Sequence, residues 1–411
     1  MNKAPEGGAP PRAIWLILVT AFLDMVSMGI IMPVLPILIE EMTGSAANAG
    51  LWTGIIVSLW AVMQFFCAPV LGAMSDRFGR RPVILISAAG LAVSWVIMAL
   101  APTLGWLLFG RIVGGVTSAS ATAIFAYMAD ISTPAQRTRA FGLVGASISA
   151  GFIVGPAIGG ALGDWDIHLP FWVAGALSAL ACLYGAVVLP ESLQPERHTP
   201  FAWSKANPFG ALVLLQSHHE LLRLAVGNFL LNFGFRIWSS IFVLFAAHRF
   251  GIGMFEIGML MAVSGGLDIF TQGVITGRVA AKLGDSRTMV IGLVGGAVGM
   301  AGMALAPNIW LFGAAILVNG FWGLAEPTMR SLMSGLVSEN EQGQLQGAMH
   351  CIMSASGIGA PLFFGWVYQM TVGTMPSLGL LIAAAAGFGA ALAVLNPARP
   401  MRLANGAAGE D

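Results

Sequence analysis

Long apolar runs alternate with short polar breaks along the chain, and twelve of the runs have membrane length. They fall near 13–40, 49–73, 82–101, 104–129, 139–163 and 169–189, then near 222–247, 255–277, 287–306, 309–335, 344–370 and 376–396. A helix needs about 20 apolar residues to cross a bilayer, and within lipid it satisfies its own backbone polar groups. The pattern predicts an all-α integral membrane protein with twelve transmembrane helices in two six-helix bundles, 13–190 and 222–397. Residues 191–221, rich in Pro, His and charge, read as a cytoplasmic linker. Residues 1–12 and 398–411 read as cytoplasmic tails, the first too polar and Pro/Gly-rich to be a signal peptide.

Composition supports the pattern and excludes other classes. Of 411 residues, 57% are hydrophobic and 9% charged, against about 25% charged in a soluble domain. Mean hydropathy is +0.82. The 19 Lys and Arg balance 19 Asp and Glu, which argues against a nucleic-acid binder, since that needs a basic face to neutralise phosphates. The expected partners are the bilayer and a small-molecule substrate, with the chain a monomer. Cys67, Cys182 and Cys351 stand alone in apolar runs, without the spacing of a disulfide framework or metal site; no metal and no organic cofactor are expected.

Charge placement sets sidedness. Arg77, Arg80 and Arg81 follow span two, Arg137 and Arg139 follow span four, and Arg278, Lys282 and Arg287 follow span eight. The opposite loops carry Arg249 and no other Lys or Arg. The positive-inside rule then places both termini in the cytoplasm. A repeat links the halves. Gly72-Ala-Met-Ser-Asp76-Arg77-Phe-Gly79 recurs 205 residues later as Gly277-Arg-Val-Ala-Ala281-Lys282-Leu-Gly284, and Pro156 recurs at Pro361 with the same offset. A chain duplicated in this way can form two pseudo-symmetric bundles around a site at mid-membrane depth.

The loop Gly72-Ala-Met-Ser-Asp76-Arg77-Phe-Gly79-Arg80-Arg81 is the strongest local signal. Gly72 would permit close helix packing, and Asp76 would meet the positive end of a neighbouring helix N-terminus. Arg80 would pair with Asp130 at the end of span four, making a latch that holds one conformation and releases in another.

These residues resemble the signature loop of the major facilitator superfamily. Gly151-Phe-Ile-Val-Gly155-Pro156-Ala-Ile-Gly159-Gly160 is similar to the span-five motif of its drug:proton antiporter branch, and Arg111 matches the superfamily's span-four arginine. The runs from Asp24 to Pro36, Leu189-Pro-Glu-Ser192, Ile275–Gly284 and Gln342–Gly347 resemble tetracycline-type exporters over nearly the whole chain. The resemblance implies the major facilitator fold, a coupling role for Arg111 and a span-one acid at Asp24. Four positions differ from those exporters. Ser94-Trp95 stands for an acid followed by Tyr, Gly296 for a span-nine acid, Asp268 for a span-eight His and Arg236 for a span-seven Gln.

Asp24, Arg111, Arg236, Asp268 and Glu326 lie well inside predicted spans. Each would cost roughly 2.5–3.5 kcal/mol at a helix centre, so each is expected to face protein or water. Structural ion pairing is an equal reading for the two arginines. The acids outnumber these arginines by one. Burial disfavours the charged form of a carboxyl, so an unpaired acid can take up and release a proton. Asp24 is the expected main proton carrier, with Arg111 coupled to it and Asp268 and Glu326 as further candidates. Arg236 would favour a carboxylate or phosphate on the ligand. Asn228, Asn232, Trp238, Phe321 and Trp322 would complete a cavity with aromatic walls and few polar anchors, although packing is the commoner use of any one aromatic.

The reading that collects these signals is a secondary transporter, not an enzyme. It exports a small amphiphilic compound or drug by alternating access, with the proton as coupling ion. The alternative is a proton-coupled transporter or importer of an organic anion such as a siderophore or metabolite. No phosphate-binding G-x-x-x-x-G-K-[ST] loop is present for an ATP-driven pump, and no H-E-x-x-H or G-x-S-x-G for a membrane enzyme.

Overall fold

The computed structural model describes residues 11–118, 120–133, 136–193, 219–338 and 341–395, together with Leu214. The expected tails and linker lie mostly outside the described residues. Among these residues every regular element is helical. Eleven helices are long and apolar enough to cross a membrane. Spans one to six are Ile14–Thr43, Ala46–Phe78, Arg80–Ala99, Leu104–Ile131, Arg139–Gly163 and Leu169–Val188. Spans eight to twelve are Met254–Leu283, Asp285–Leu305, Ile309–Ser334, Gln342–Thr371 and Leu378–Leu395. Span seven is Glu220–Ser239 with Phe242–Phe250, bent by 51° between its parts, which brings the number to twelve.

By contacts the chain forms two compact units. The first holds Met1–Pro208, Trp238–Gly266 and Ile358–Pro376; the second holds Phe209–Ile237, Leu267–Gly357 and Ser377–Asp411. Parts of spans seven, eight and eleven thus pack with the N-terminal helices.

In the first unit, span one packs on spans five and six, and spans two and three pack on span four. Missing side chains bring the helices together. A Cβ on Gly155 would lie 2.7 Å from Gly29 Cα, and one on Gly151 would lie 2.8 Å from the carbonyl oxygen of Phe22. A Cβ on Gly159 would overlap the Ile30 carbonyl. Lipid supplies no hydrophobic drive between helices, so close backbone approach at small residues carries the association. Near the 72–81 loop, an apolar core of Ile17, Val83, Ile84, Ile124, Tyr127, Met128 and Val144 fills the space between spans one, three, four and five.

The sequence repeat reappears as a repeated contact. In span five, Gly160 lies against the Met254 carbonyl of span eight, and a Cβ on Gly258 would overlap the Pro156 carbonyl. In span eleven, Gly365 lies against the Gly50 carbonyl of span two, and a Cβ on Gly54 would overlap the Pro361 carbonyl. Both crossings therefore use a mid-helix proline and a glycine four residues after it. They form a seam at the end of the unit opposite the 72–81 loop. Polar ties reinforce it: Ser58 Oγ donates to the Ile358 carbonyl at 2.6 Å, and Gln369 Nε2 donates to Asn48 Oδ1 at 3.2 Å. The Asp164 carboxylate accepts the amides of Met254 at 3.0 Å and Phe255 at 3.1 Å.

The repeat also fixes two turns. Gly79 (φ 104, ψ 160) and Gly284 (φ 79, ψ 159) join spans two to three and eight to nine. Only glycine reaches that backbone region without strain. In the second unit, span twelve packs on spans seven and nine, and span nine packs on span ten.

Overpacking a close crossing costs about 1–3 kcal/mol. Gly155→Val is expected to lower the thermal unfolding midpoint of purified protein accordingly. Gly72→Ala, at a position with nothing within 4 Å, leaves the midpoint unchanged.

Candidate transport and proton-coupling site

Asp24 sits in the first unit, 3% exposed, in the first half of span one. The Ser27 hydroxyl donates to its backbone carbonyl at 2.7 Å. The motif glycines of span five press on the same helix around it, Gly151 against Phe22 and Met25 and Gly155 against Val26 and Gly29. Rotation or tilt of span five therefore reaches Asp24 through backbone contact.

Arg111 is 9% exposed. Its guanidinium lies 5.3 Å from the centre of the Trp95 ring, a cation–π arrangement, and its Nε is sealed without a partner. Ser94 does not face it as an acid would. Its hydroxyl donates to the Gly110 carbonyl at 2.7 Å and so ties span three to span four. Trp238 is 7% exposed and stacks on Phe242 with centroids 4.1 Å apart.

At the 72–81 loop, Arg80 bridges three groups. Its NH1 pairs with Asp76 and donates to Ser75 Oγ at 3.2 Å, and its Nε donates to Asp130 Oδ2 at 3.2 Å. Ser192 Oγ adds a bond to the same Asp130 oxygen at 3.1 Å. Arg77 instead lies over the Phe78 ring at 5.0 Å. Two expectations are corrected here. Asp76 ends the span-two helix and does not occupy a helix N-terminus. That place belongs to Glu191, whose carboxylate accepts the amides of Arg80 at 2.8 Å and Arg81 at 3.1 Å at the start of span three. Gly72 packs closely on nothing; it lines a cavity of about 160 Å³ with Ser75, Asp76, Arg80 and Thr122.

The second unit holds the remaining candidates. Arg236 opens a short 3₁₀ segment, Arg236–Ser239, and donates to the Met353 carbonyl at 3.4 Å. Asp268 lies one turn before a π-helical segment, Thr271–Ile275, and accepts from Gln272 Nε2 at 2.8 Å. Glu326 follows a 3₁₀ segment, Gly320–Leu324, and accepts from Arg330 at 2.7 Å. Irregular turns of this kind collect at functional sites. Glu326 is near enough for its charge to act on Arg236 and on Asp268. The Glu326 side chain is 38% exposed and pairs with Arg330. Asn232 Nδ2 donates to Asn228 Oδ1 at 2.7 Å, and Asn228 is 2% exposed.

Trp322 also differs from its expected place as a cavity wall. It is 5% exposed, and its ring occupies the space where a Cβ on Gly296 would stand; Gly234 and Gly387 pack on it as well. The tryptophan fills the position at which tetracycline-type exporters carry their span-nine acid. Phe321, 45% exposed, rests on Gly295. Sequence reasoning passed over Glu191, Gln272, Asp164 and the Glu40–His248 pair. Gln272 had a signal, the i,i+4 spacing from Asp268; the others meet partners that no local spacing reveals.

The profile described as Major Facilitator Superfamily matches residues 17–361 and 224–409. The chain belongs to that superfamily. The transporter is 34% identical over 375 residues to the tetracycline resistance protein, class C, of Escherichia coli, covering 91% of this chain and 94% of that one. It is 35% identical over 351 residues to the class G protein of Vibrio anguillarum, covering 85% and 89%. It is 30% identical over 369 residues to multidrug resistance protein 2 of Bacillus subtilis (strain 168), covering 88% and 90%. Among solved structures, the nucleoside transporter NupG superposes with a TM-score of 0.74 at 16% identity, over 93% of this chain and 98% of that one. The human organic anion transporter MFSD10 (TETRAN) superposes with a TM-score of 0.70 at 22% identity, over 94% and 100%. These two speak for the fold. The transporter is an integral membrane protein that moves small molecules and is not an enzyme.

Restoring an acid at position 296 collides with Trp322, so Gly296→Asp is expected to destabilise by about 2–5 kcal/mol through overpacking and an ill-placed polar group. Gly296→Asp with Trp322→Ala should recover part of that loss, both read by thermal unfolding. Glu191→Ala, which removes a carboxylate cap, should cost about 1 kcal/mol.

Proposed function

We propose that the transporter exports a small amphiphilic, drug-like compound from a bacterial cytoplasm in exchange for protons. It works as a monomer in the inner membrane, with both termini in the cytoplasm. One observation carries the reading: the buried Asp24 lies on the helix that the span-five motif glycines grip on both sides of it. A carboxyl in that place gains or loses a proton as the packing around span one changes. A shift of span five against span one would alter the surroundings of Asp24, which couples the state of Asp24 to the conformation.

The second unit contributes the other half of the exchange. The charge of Glu326 acts on Arg236 and on Asp268, so a proton or a ligand that alters it alters the balance of both. Competition of proton and drug for such acids gives antiport without ATP. The relatives named for tetracycline and multidrug resistance support a drug as cargo. With Ser94 tied to a backbone carbonyl and Gly296 covered by Trp322, the ligand anchors are Arg236 and Asn232, the latter held in place by the buried Asn228. The Arg80–Asp76–Asp130 cluster serves as the cytoplasmic latch.

In proteoliposomes with an imposed pH gradient, drug addition is expected to drive proton movement in the opposite direction. Asp24→Asn should reduce that signal to the level of empty liposomes while the protein still inserts and unfolds at its usual temperature. Undiminished exchange by Asp24→Asn sinks the assignment.

A further inference from the structure

Among the described residues of the seam, one histidine meets a carboxylate, and the geometry of that pair has a requirement of its own. His248, in the second part of span seven, places Nδ1 2.7 Å from the Leu244 carbonyl oxygen and Nε2 2.7 Å from Glu40 Oε1 at the end of span one. A carbonyl and a carboxylate both accept. A neutral imidazole has one N–H and can serve one of them. For both short contacts to be hydrogen bonds, the pair must hold one proton more than neutral histidine plus carboxylate, on either the imidazole or Glu40.

We propose that His248 and Glu40 form a proton-binding site that closes the seam when it is loaded. The bound proton comes from the water at the end opposite the 72–81 loop, since His248 and Glu40 keep 38% and 26% of their side-chain surface. Acid loads the pair and favours the sealed seam. When that proton leaves, one N–H remains for two acceptors; with it turned to the Leu244 carbonyl, Glu40 has no donor from span seven and the seam loosens. The proposal adds a second proton site to the Asp24 mechanism, placed at the gate.

The surroundings are compatible with this site. Tyr368 of span eleven brings its hydroxyl within 3.4 Å of His248 Nδ1, and its ring is pressed against Gly50 of span two. The pair therefore sits where spans one, two, seven and eleven meet. Glu41 and Arg249 are exposed chain neighbours. Farther along the seam, Asp164 has its oxygens engaged by two amides, with Glu256 beside it near Gly253. The remaining tie, Gln369 to Asn48, does not titrate.

The test reads conformation, without substrate or gradient. With Cys67, Cys182 and Cys351 replaced by Ser, spin labels are placed at Trp165→Cys and Thr374→Cys, both exposed at the seam end. Distances are measured in nanodiscs near pH 5 and near pH 8. The open fraction should rise about two- to fivefold at the higher pH, as suits a partly exposed charge pair. His248→Gln and Glu40→Gln should open the seam and flatten its pH response. His248→Lys, charged throughout, should keep it sealed at both values. A seam that opens independently of pH, or that titrates alike in wild type and His248→Gln, overturns the proposal and leaves the Asp24 reading standing. A seam that stays shut in every variant overturns the proposal and also counts against alternating access.

Discussion

Close backbone approach at glycine is the constraint on which the rest of this molecule depends. Within lipid, burying hydrocarbon gains nothing over exposing it to acyl chains, so helices associate where their backbones can touch. Span five shows the consequence. Its glycines leave no room for side chains against span one, and Asp24 lies on the gripped stretch. The same rule, applied twice with a proline and a glycine four residues on, joins spans five to eight and eleven to two. A single packing device therefore places the buried acid and seals one end of the first unit.

Charge obeys a different rule, because every buried ion needs a partner or a reason to be mobile. The 72–81 loop is tied down at Arg80, which bridges two carboxylates, and Glu191 holds the start of the next helix. The Arg236, Asp268 and Glu326 group is looser, set among three departures from regular helix. Arg111 rests on an indole face in place of a carboxylate. The tightly bonded cluster suits a latch, and the loosely bonded ones suit exchange of protons and ligand.

The spans were legible because hydropathy measures length and polarity, which the bilayer alone dictates. The turn glycines were legible through the repeat, since Gly79 and Gly284 recur for a backbone reason. The identity of the tightly packed glycines was not. Gly72 and Gly155 look alike in sequence, yet one faces open space and the other a helix backbone, a difference set by partners far along the chain. Ser58 and Ile358 bond across 300 positions, beyond the reach of any periodicity. Trp322 covering Gly296 belongs to the same class: an absent acid is visible in the sequence, while the ring that takes its space is visible only in three dimensions.

The make-up of the seam also bears on how easily it parts. Joints built from bare peptide groups and short hydroxyl or amide bridges strand little oily surface when water enters. Each uncovered carbonyl or amide finds a solvent molecule as a replacement partner. Separation at such a joint is nearly balanced, so a gate of this type can swing on a small push.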